Sequence, residues 1–191
     1  MTPERESRIT AVAGARQAGF VVVLEDIHDP HNAAAIMRTC DAFGIQHLGL
    51  VFEKEKPFNP RQVGKVSSSS ANRWLSFKKF GSSKECLDEL KAEEFIILAT
   101  TLHGGAKDPY TTDLAFEKVA LVIGNEHRGV SDVFIEGADM LLTLPMHGFV
   151  ESLNVSVAAA LCIAEIRRQR GDKPLSDEKR GDLVRLWKKE K

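Results

Sequence analysis

The chain has 191 residues, 43% of them hydrophobic and 28% charged, with a formal net charge of −1. That length builds one domain with a real core and short appendages, the composition is that of a soluble globular protein, and no apolar run reaches the length of a membrane span. The charge is uneven: residues 167–191 hold ten Lys and Arg against five Asp and Glu, net +5, so the other 166 carry −6.

A basic end on a mildly acidic body reads either as a polyanion contact or as a solvated helix laced with ion pairs. The first residues, MTPERESRIT, are charged and contain no apolar signal core. Cys40, Cys86 and Cys162 are scattered and fit neither a disulfide framework nor a zinc site. Both features point to reduced thiols in the cytoplasm.

In chain order, residues 3–18 predict a short polar helix. FVVVLEDI, from Phe20 to Ile27, is a continuous β-branched run, the pattern of a strand buried on both faces. Asp29-Pro30 supplies an N-cap followed by proline at the first position of a helix over 30–43. HLGLVF (47–52) is the next strand. Residues 53–73 form a long connection with room for one helical turn. WLSFKKF (74–80) predicts a strand, SSKECLDELKAE (82–93) a serine-capped helix and FIILATT (95–101) another strand. After a loop, KVALVIG (118–124) is a strand, NEHRGVSD leads into a short helix near 131–136, and ADMLLTLP (138–145) is the last strand. A long apolar helix covers 154–170 and a basic helix 176–189. Strands alternating with helices predict an α/β domain with a mostly parallel sheet flanked by helices.

The usual nucleotide signatures are missing. No GxGxxG follows the first strand, and Gly124–Gly129 has a P-loop's glycine spacing but continues Val-Ser. There is no GxSxG elbow, and no thiolate or carboxylate cluster joins His28 and His31 into a metal site, so no metal is expected.

Three segments carry the remaining signal. The helix opening at His31 turns Ala33, Ile36, Met37 and Cys40 toward the sheet and presents His31, Ala34, Ala35, Arg38 and Ala42 on its other side. Alanines around one arginine leave a planar fork uncrowded, for a phosphate or for a neighbouring carboxylate. LVIGNEHRGVSD puts Gly124 and Glu126 at a strand end, where parallel sheets bind ligands, or forms a simple capped turn. LPMHGFVESLNVSVAAALCIAEIRRQR crowds Glu151, Ser152 and Asn154 before a helix whose Val157, Ala158, Leu161 and Ala164 form a smooth stripe. That stripe suits packing within the domain or across a dimer.

Taken together, HNAAAIMRTCDAFG, LVIGNEHRGV and LPMHGFVESLNVSVAAAL resemble the three motifs of the SpoU (TrmH-type) branch of the SPOUT RNA methyltransferases, over roughly residues 20–170. The resemblance implies an α/β domain, 20–171, whose C-terminal part threads into a deep trefoil knot, with helical extensions at 1–19 and 172–191. A knot is otherwise disfavoured by base rates. The resemblance also implies S-adenosylmethionine as cofactor, held bent near Thr100, Leu102, Ile123, Gly124, Leu144, Met146 and Leu153. The implied reaction is methyl transfer to a ribose 2′-hydroxyl, with Arg38, Asn32, Glu126, Ser152 and Asn154 as catalytic residues. Arg38 acts there as general base, against a side-chain pKa above about 12, or as holder of the adjacent phosphate.

The implied assembly is a homodimer. The implied substrate is tRNA at a D-loop guanosine, the alternatives being a ribosomal RNA guanosine, a tRNA wobble ribose, or RNA binding without turnover. RNA needs a positive surface, and the candidates are Arg8, Arg16, His31, Arg167, Arg168, Arg170, Lys188 and Lys189. One departure is the SSSSANRW stretch at Ser67–Ala71, where the family often carries a glycine-containing SxGA segment.

Overall fold

The computed structural model describes residues 1–63, 71–102 and 104–190; the serine run Ser67–Ser70 lies outside them. Its elements are α1 (Pro3–Gly14), β1 (Gln17–Glu25), α2 (Pro30–Ala42), β2 (Ile45–Val51), a 3-10 turn (Ala71–Arg73), β3 (Ser76–Phe80), α3 (Ser83–Ala92), β4 (Ile96–Thr100), β5 (Val119–Ile123), α4 (Asp132–Gly137), β6 (Met140–Leu142), α5 (Val155–Arg170) and α6 (Asp177–Trp187). The strands form one six-stranded parallel sheet in the order β3-β2-β1-β5-β4-β6. No described helix is long and apolar enough to cross a membrane.

Helices cover both faces, which is why β1 and β5 read as unbroken apolar runs. Along β1, Phe20, Val22 and Leu24 enter the core beneath α2 and α5 with Ile36, Met37, Cys40, Cys162 and Ile163. Val23 points the other way, toward Cys86, Leu87 and Leu90 of α3 and Phe134 of α4. A third cluster joins Ile9 and Ala13 of α1 to Leu175, Leu183 and Trp187. The two ends of the chain thus share one small core.

Local signals explain most boundaries. Asp29 caps α2 by accepting from His31 N, and Ser82 caps α3 by accepting from Glu85 N. The helix expected over 3–18 stops at Gly14, because β1 begins three residues sooner than its β-branched run suggested. Gln17 pairs with Ile45, and Gly19 at φ +63 marks the irregularity before regular pairing resumes at Val21. The last strand shrinks to Met140–Leu142. On α2, Ala34 is buried rather than outward-facing, since this helix also packs against the Ala71–Arg73 turn. On α5 the inward face is Ala159, Cys162, Ile163 and Ile166, while Val157 and Leu161 face solvent.

Two arginines expected to meet RNA lie in the interior. Arg16 is fully buried, its Nη1 donating to Asp41 O (3.1 Å), its Nη2 pairing with Asp41 Oδ1 (2.5 Å) and its guanidinium 5.1 Å from the Trp187 ring centroid. Arg170 donates to Phe116 O (2.9 Å), Ala18 O (2.8 Å) and Glu117 O (2.8 Å) and lies over the Phe20 ring. Both satisfy backbone carbonyls or a carboxylate where elements meet, and neither is open to a polyanion.

These roles are separable by chemical denaturation. Arg170→Met leaves buried carbonyls without donors and should lower the unfolding free energy by about 3 kcal/mol. Lys188→Ala, which removes an exposed, solvent-screened pair with Glu6, should leave it nearly unchanged. Equal effects would show that Arg170 is not the clamp described.

Candidate active site

The C-terminal ends of β4, β5 and β6 and the first turn of α5 enclose a cleft of about 330 Å³. Parallel sheets leave backbone groups and short loops at this edge, which makes it the usual ligand position. Of the residues expected at the cofactor, Thr100, Leu102, Gly124, Leu144, Met146 and Leu153 line the cleft. Ile123 does not line it, because its side chain is spent in the core beside Leu121 and Leu142. Cys162 lines the floor, and burial pushes its thiol up to about 12, so it stays protonated and inert.

Gly124 has a specific steric reason. A Cβ there would stand 2.2 Å from Gly129 C and 2.3 Å from Val130 N. The chain folds back on itself, with Asn125 N donating to Gly129 O (3.0 Å) and Gly129 N to Asn125 O (2.9 Å). Asn125 shapes this turn from inside. Its Oδ1 accepts from His127 N (2.9 Å) and Arg128 N (3.1 Å), and its Nδ2 donates to Asp26 O (2.7 Å). The glycine therefore serves a backbone-on-backbone approach that aims Glu126 at the start of α2.

Glu126 gathers donors from a different part of the chain. His28 N (2.8 Å), Asp29 N (3.1 Å) and Asn32 Nδ2 (2.8 Å) all donate to its carboxylate. Burial works to raise its pKa, but the hydrogen bonds from Asn32 and from the His28 and Asp29 backbone outweigh it and hold the carboxyl below its usual range. It is therefore ionised at neutral pH and acts as an acceptor. That orients the Asn32 amide, whose Oδ1 accepts from Asn154 Nδ2 (3.1 Å). Asn154 in turn caps α5, its Oδ1 accepting from Ser156 N (2.8 Å). Glu126, Asn32 and Asn154 thus form one hydrogen-bonded chain across the three sequence segments. Ser152 lines the cleft beside them and is exposed.

Arg38 stands apart from that chain. It lines a neighbouring cleft with Arg5, Arg8 and Asp41. Six residues after Asn32 it is rotated by about 240° and displaced by about 9 Å along the helix, so the two cannot share a face. His31 is exposed at the start of α2. Among the other basic candidates, Arg8 and Lys189 are exposed, Lys188 pairs with Glu6, Arg168 grips Glu165 at 2.7 and 2.8 Å, and Arg167 donates to Gly171 O (2.5 Å).

A further group forms around Glu55, which belongs to none of the three sequence segments. Its carboxylate meets His28 Nδ1 (3.1 Å) and Arg128 Nη2 (2.8 Å), and the backbone carrying it is held where Glu53, Lys54 and Glu55 N–H groups converge on Asp26 Oδ1 (2.8–3.1 Å). The available signal was Asp26, a carboxylate placed directly after a buried strand, which in the structure takes φ 50.

Residues 19–164 match the SpoU rRNA Methylase family. The chain is 36% identical over 181 residues to the tRNA (guanosine(18)-2′-O)-methyltransferase of Thermus thermophilus, covering 95% of this chain and 91% of that one. It superposes on the crystal structure of the Aquifex aeolicus TrmH/SpoU tRNA modifying enzyme with a TM-score of 0.84 at 31% identity, over 96% of this chain and 94% of the other. The Streptomyces viridochromogenes SpoU methyltransferase AviRb, solved in complex with AdoMet, matches over 81% of this chain and 62% of its own at 28% identity and a TM-score of 0.70. The family match covers most of the chain and contains all three segments that meet at the cleft, so this protein belongs to the SpoU methylase family.

Proposed function

We propose that this protein is an S-adenosylmethionine-dependent RNA methyltransferase that modifies the 2′-hydroxyl of a tRNA guanosine, at the position named for its Thermus relative. The observation that carries the reading is the Glu126–Asn32–Asn154 chain at the mouth of the cleft, in a sequence aligned with that enzyme over 91% of its length.

The cleft fits the cofactor. Its volume is within the range of small-molecule sites, its walls are apolar at Leu102, Leu144, Met146, Leu153 and Ala158, and backbone groups at the strand ends supply polar contacts. When bound, S-adenosylmethionine supplies a sulfonium methyl group. Asn32, locked by Glu126, presents a fixed amide to the ribose. Ser152 stands at the cleft wall, and Asn154 fixes the first turn of α5 against α2. Arg38, outside the cofactor cleft, holds the phosphate next to the target ribose with its planar fork and so orients the hydroxyl. The 2′-proton leaves toward that phosphate or solvent.

The same reading extends to the assembly. The solvent face of α5 carries exposed Val157 and Leu161, continued by Phe149, Val150 and Leu153. This is the dimer face of a cytoplasmic homodimer. The chain leaves β6 flanked by Lys107, which donates to Leu141 O (2.8 Å) and accepts from Thr143 N (3.0 Å), and returns to pack α5 on α2. Gln169 on α5 holds Pro109 O and Thr112 O of the same 101–118 loop (both 3.1 Å). These contacts support a trefoil passage of the chain through that loop.

Incubating the protein with unmodified tRNA transcript and methyl-labelled cofactor should place label on the 2′-oxygen of that guanosine. Label on ribosomal RNA alone would move the substrate, and binding of cofactor without any label would overturn the enzyme reading. Arg38→Lys keeps charge and loses the fork, and turnover should fall by about 100-fold; near-normal turnover removes the geometric role. Glu126→Gln offers one acceptor oxygen where three donors converge, and should destabilise the fold by about 1–2 kcal/mol. The Glu126 carboxyl is depressed in the folded state. Its contribution is therefore present above its unfolded pKa, near 4.5, and fades as pH falls through the lower folded value. The variant's stability curve should be flatter than the parent's over that acid window.

A further inference from the structure

Both tryptophans of the chain, Trp74 and Trp187, lie at the second cleft, which encloses about 550 Å³ between α1, α2 and α6. Arg5 and Arg8 reach it from α1 and Arg38 from α2. The carboxylate in its wall, Asp41, is already engaged from beneath by buried Arg16 at 2.5 Å. Arg5 and Arg8 bring two guanidinium groups to a cleft whose carboxylate among the described lining residues, Asp41, is already paired, and that balance favours an anion.

It is not built for a bare anion. Ile9, Val12 and Trp74 add an apolar lining to the same cleft, and Trp74 remains partly exposed. Trp74 is held edge-on to Trp187, with ring centroids 5.6 Å apart and planes at 78°, and the Arg16 guanidinium lies 5.1 Å from the Trp187 ring. The aromatic wall is therefore fixed before any ligand arrives, which lowers the ordering cost of binding. Arg5 is likewise aimed, its Nη2 donating to Glu190 O at 2.6 Å, which uses one of its five N–H groups. A planar apolar wall beside a cluster of arginines matches one polymer unit: a base with its phosphate.

We propose that this cleft seats a nucleotide of the RNA next to the one being methylated, its base against Trp74 and Val12 and its phosphate on Arg5 and Arg8. The assignment rests on the RNA-methyltransferase reading. In it the paired terminal helices complete a nucleotide subsite around Arg38.

Because both tryptophans of the chain lie here, its emission on selective tryptophan excitation reports on this cleft. Titration with unmodified tRNA transcript should change that emission saturably, and the Arg5→Ala/Arg8→Ala double variant should lose the change. In the methylation assay that variant should show KM raised about tenfold, with the effect on KM rather than kcat. Its salt dependence, log K against log salt, should be shallower by about 1, because one phosphate contact is lost. Trp74→Ala should weaken transcript binding about 5- to 100-fold, and Trp74→Phe, which keeps a ring and guards against a folding artefact, should restore most of it. A double variant with the parent's KM and salt slope overturns the proposal. So does an equal emission change with inorganic phosphate at matched concentration, which would mark a simple anion site. The two readings fail separately. If the parent protein methylates no RNA but transcript quenches its emission and not the double variant's, the enzyme reading falls and the cleft stands. If methylation is normal and emission does not respond, only the cleft falls.

Discussion

The carboxylate of Glu126 is the point on which the site depends. It stands on a turn after β5 that exists only because Gly124 lets the chain touch its own backbone at 2.2–2.4 Å from where a Cβ would be. It receives the backbone of His28 and Asp29 and the side chain of Asn32. One ionised group thereby sets the start of α2 relative to the sheet, fixes which way the Asn32 amide faces, and through Asn154 fixes the start of α5. Burial alone would raise its pKa and weaken its hold as an ionised acceptor. The converging donors prevent that.

A similar logic recurs at the end of β1. Glu25 is buried and accepts from Ser131 N and Oγ and from Ser83 Oγ, tying the first turns of α3 and α4 together. Asp26 collects the N–H groups of Glu53, Lys54 and Glu55. Buried carboxylates at a parallel-sheet edge meet unpaired N–H groups of loops and helix starts, and each one fixes a loop that a hydrophobic contact could not orient. Such anchors set the orientation of the loops around the cleft.

The sheet and its helices were legible because burial on both faces writes an unmistakable apolar run in β1 and β5, and Asp29-Pro30 and Ser82 write their own caps. The site was legible as three segments, since Asn32, Glu126 and Asn154 each sit where a strand or loop gives way to a turn or helix. The fate of the arginines was not. Arg8, Arg16 and Arg170 look alike as letters, yet Arg16 and Arg170 are consumed by Asp41 and by three backbone carbonyls, contacts made across 25 to 152 residues. Charge is a local property of sequence, whereas the partner that neutralises it is a property of topology. Ile123 shows the same limit in reverse: adjacent to the cleft in sequence, it is turned into the core by the two-residue period of its strand.

The placement of Arg38 then follows from helix geometry. Asn32 and Arg38 do not share a face of α2, so the roles proposed for them, at the ribose and at a phosphate, are divided between its two sides. Asn32 belongs to the first turn, beside Glu126 and α5. Arg38 comes about 9 Å further along and about 240° around, facing α1. The helix is thus a partition with a cleft on either side. Its buried stripe of Ala33, Ile36, Met37 and Cys40 keeps it rigid against the sheet. A substrate strand gripped by the arginines of one cleft and methylated at the mouth of the other would be positioned by that rigid spacing. The paired terminal helices, clamped to the body through Arg16 and Arg170, form the outer wall of the gripping side. In this architecture the interior arginines, themselves closed to a polyanion, set the shape of the surface that carries the arginines proposed to meet RNA.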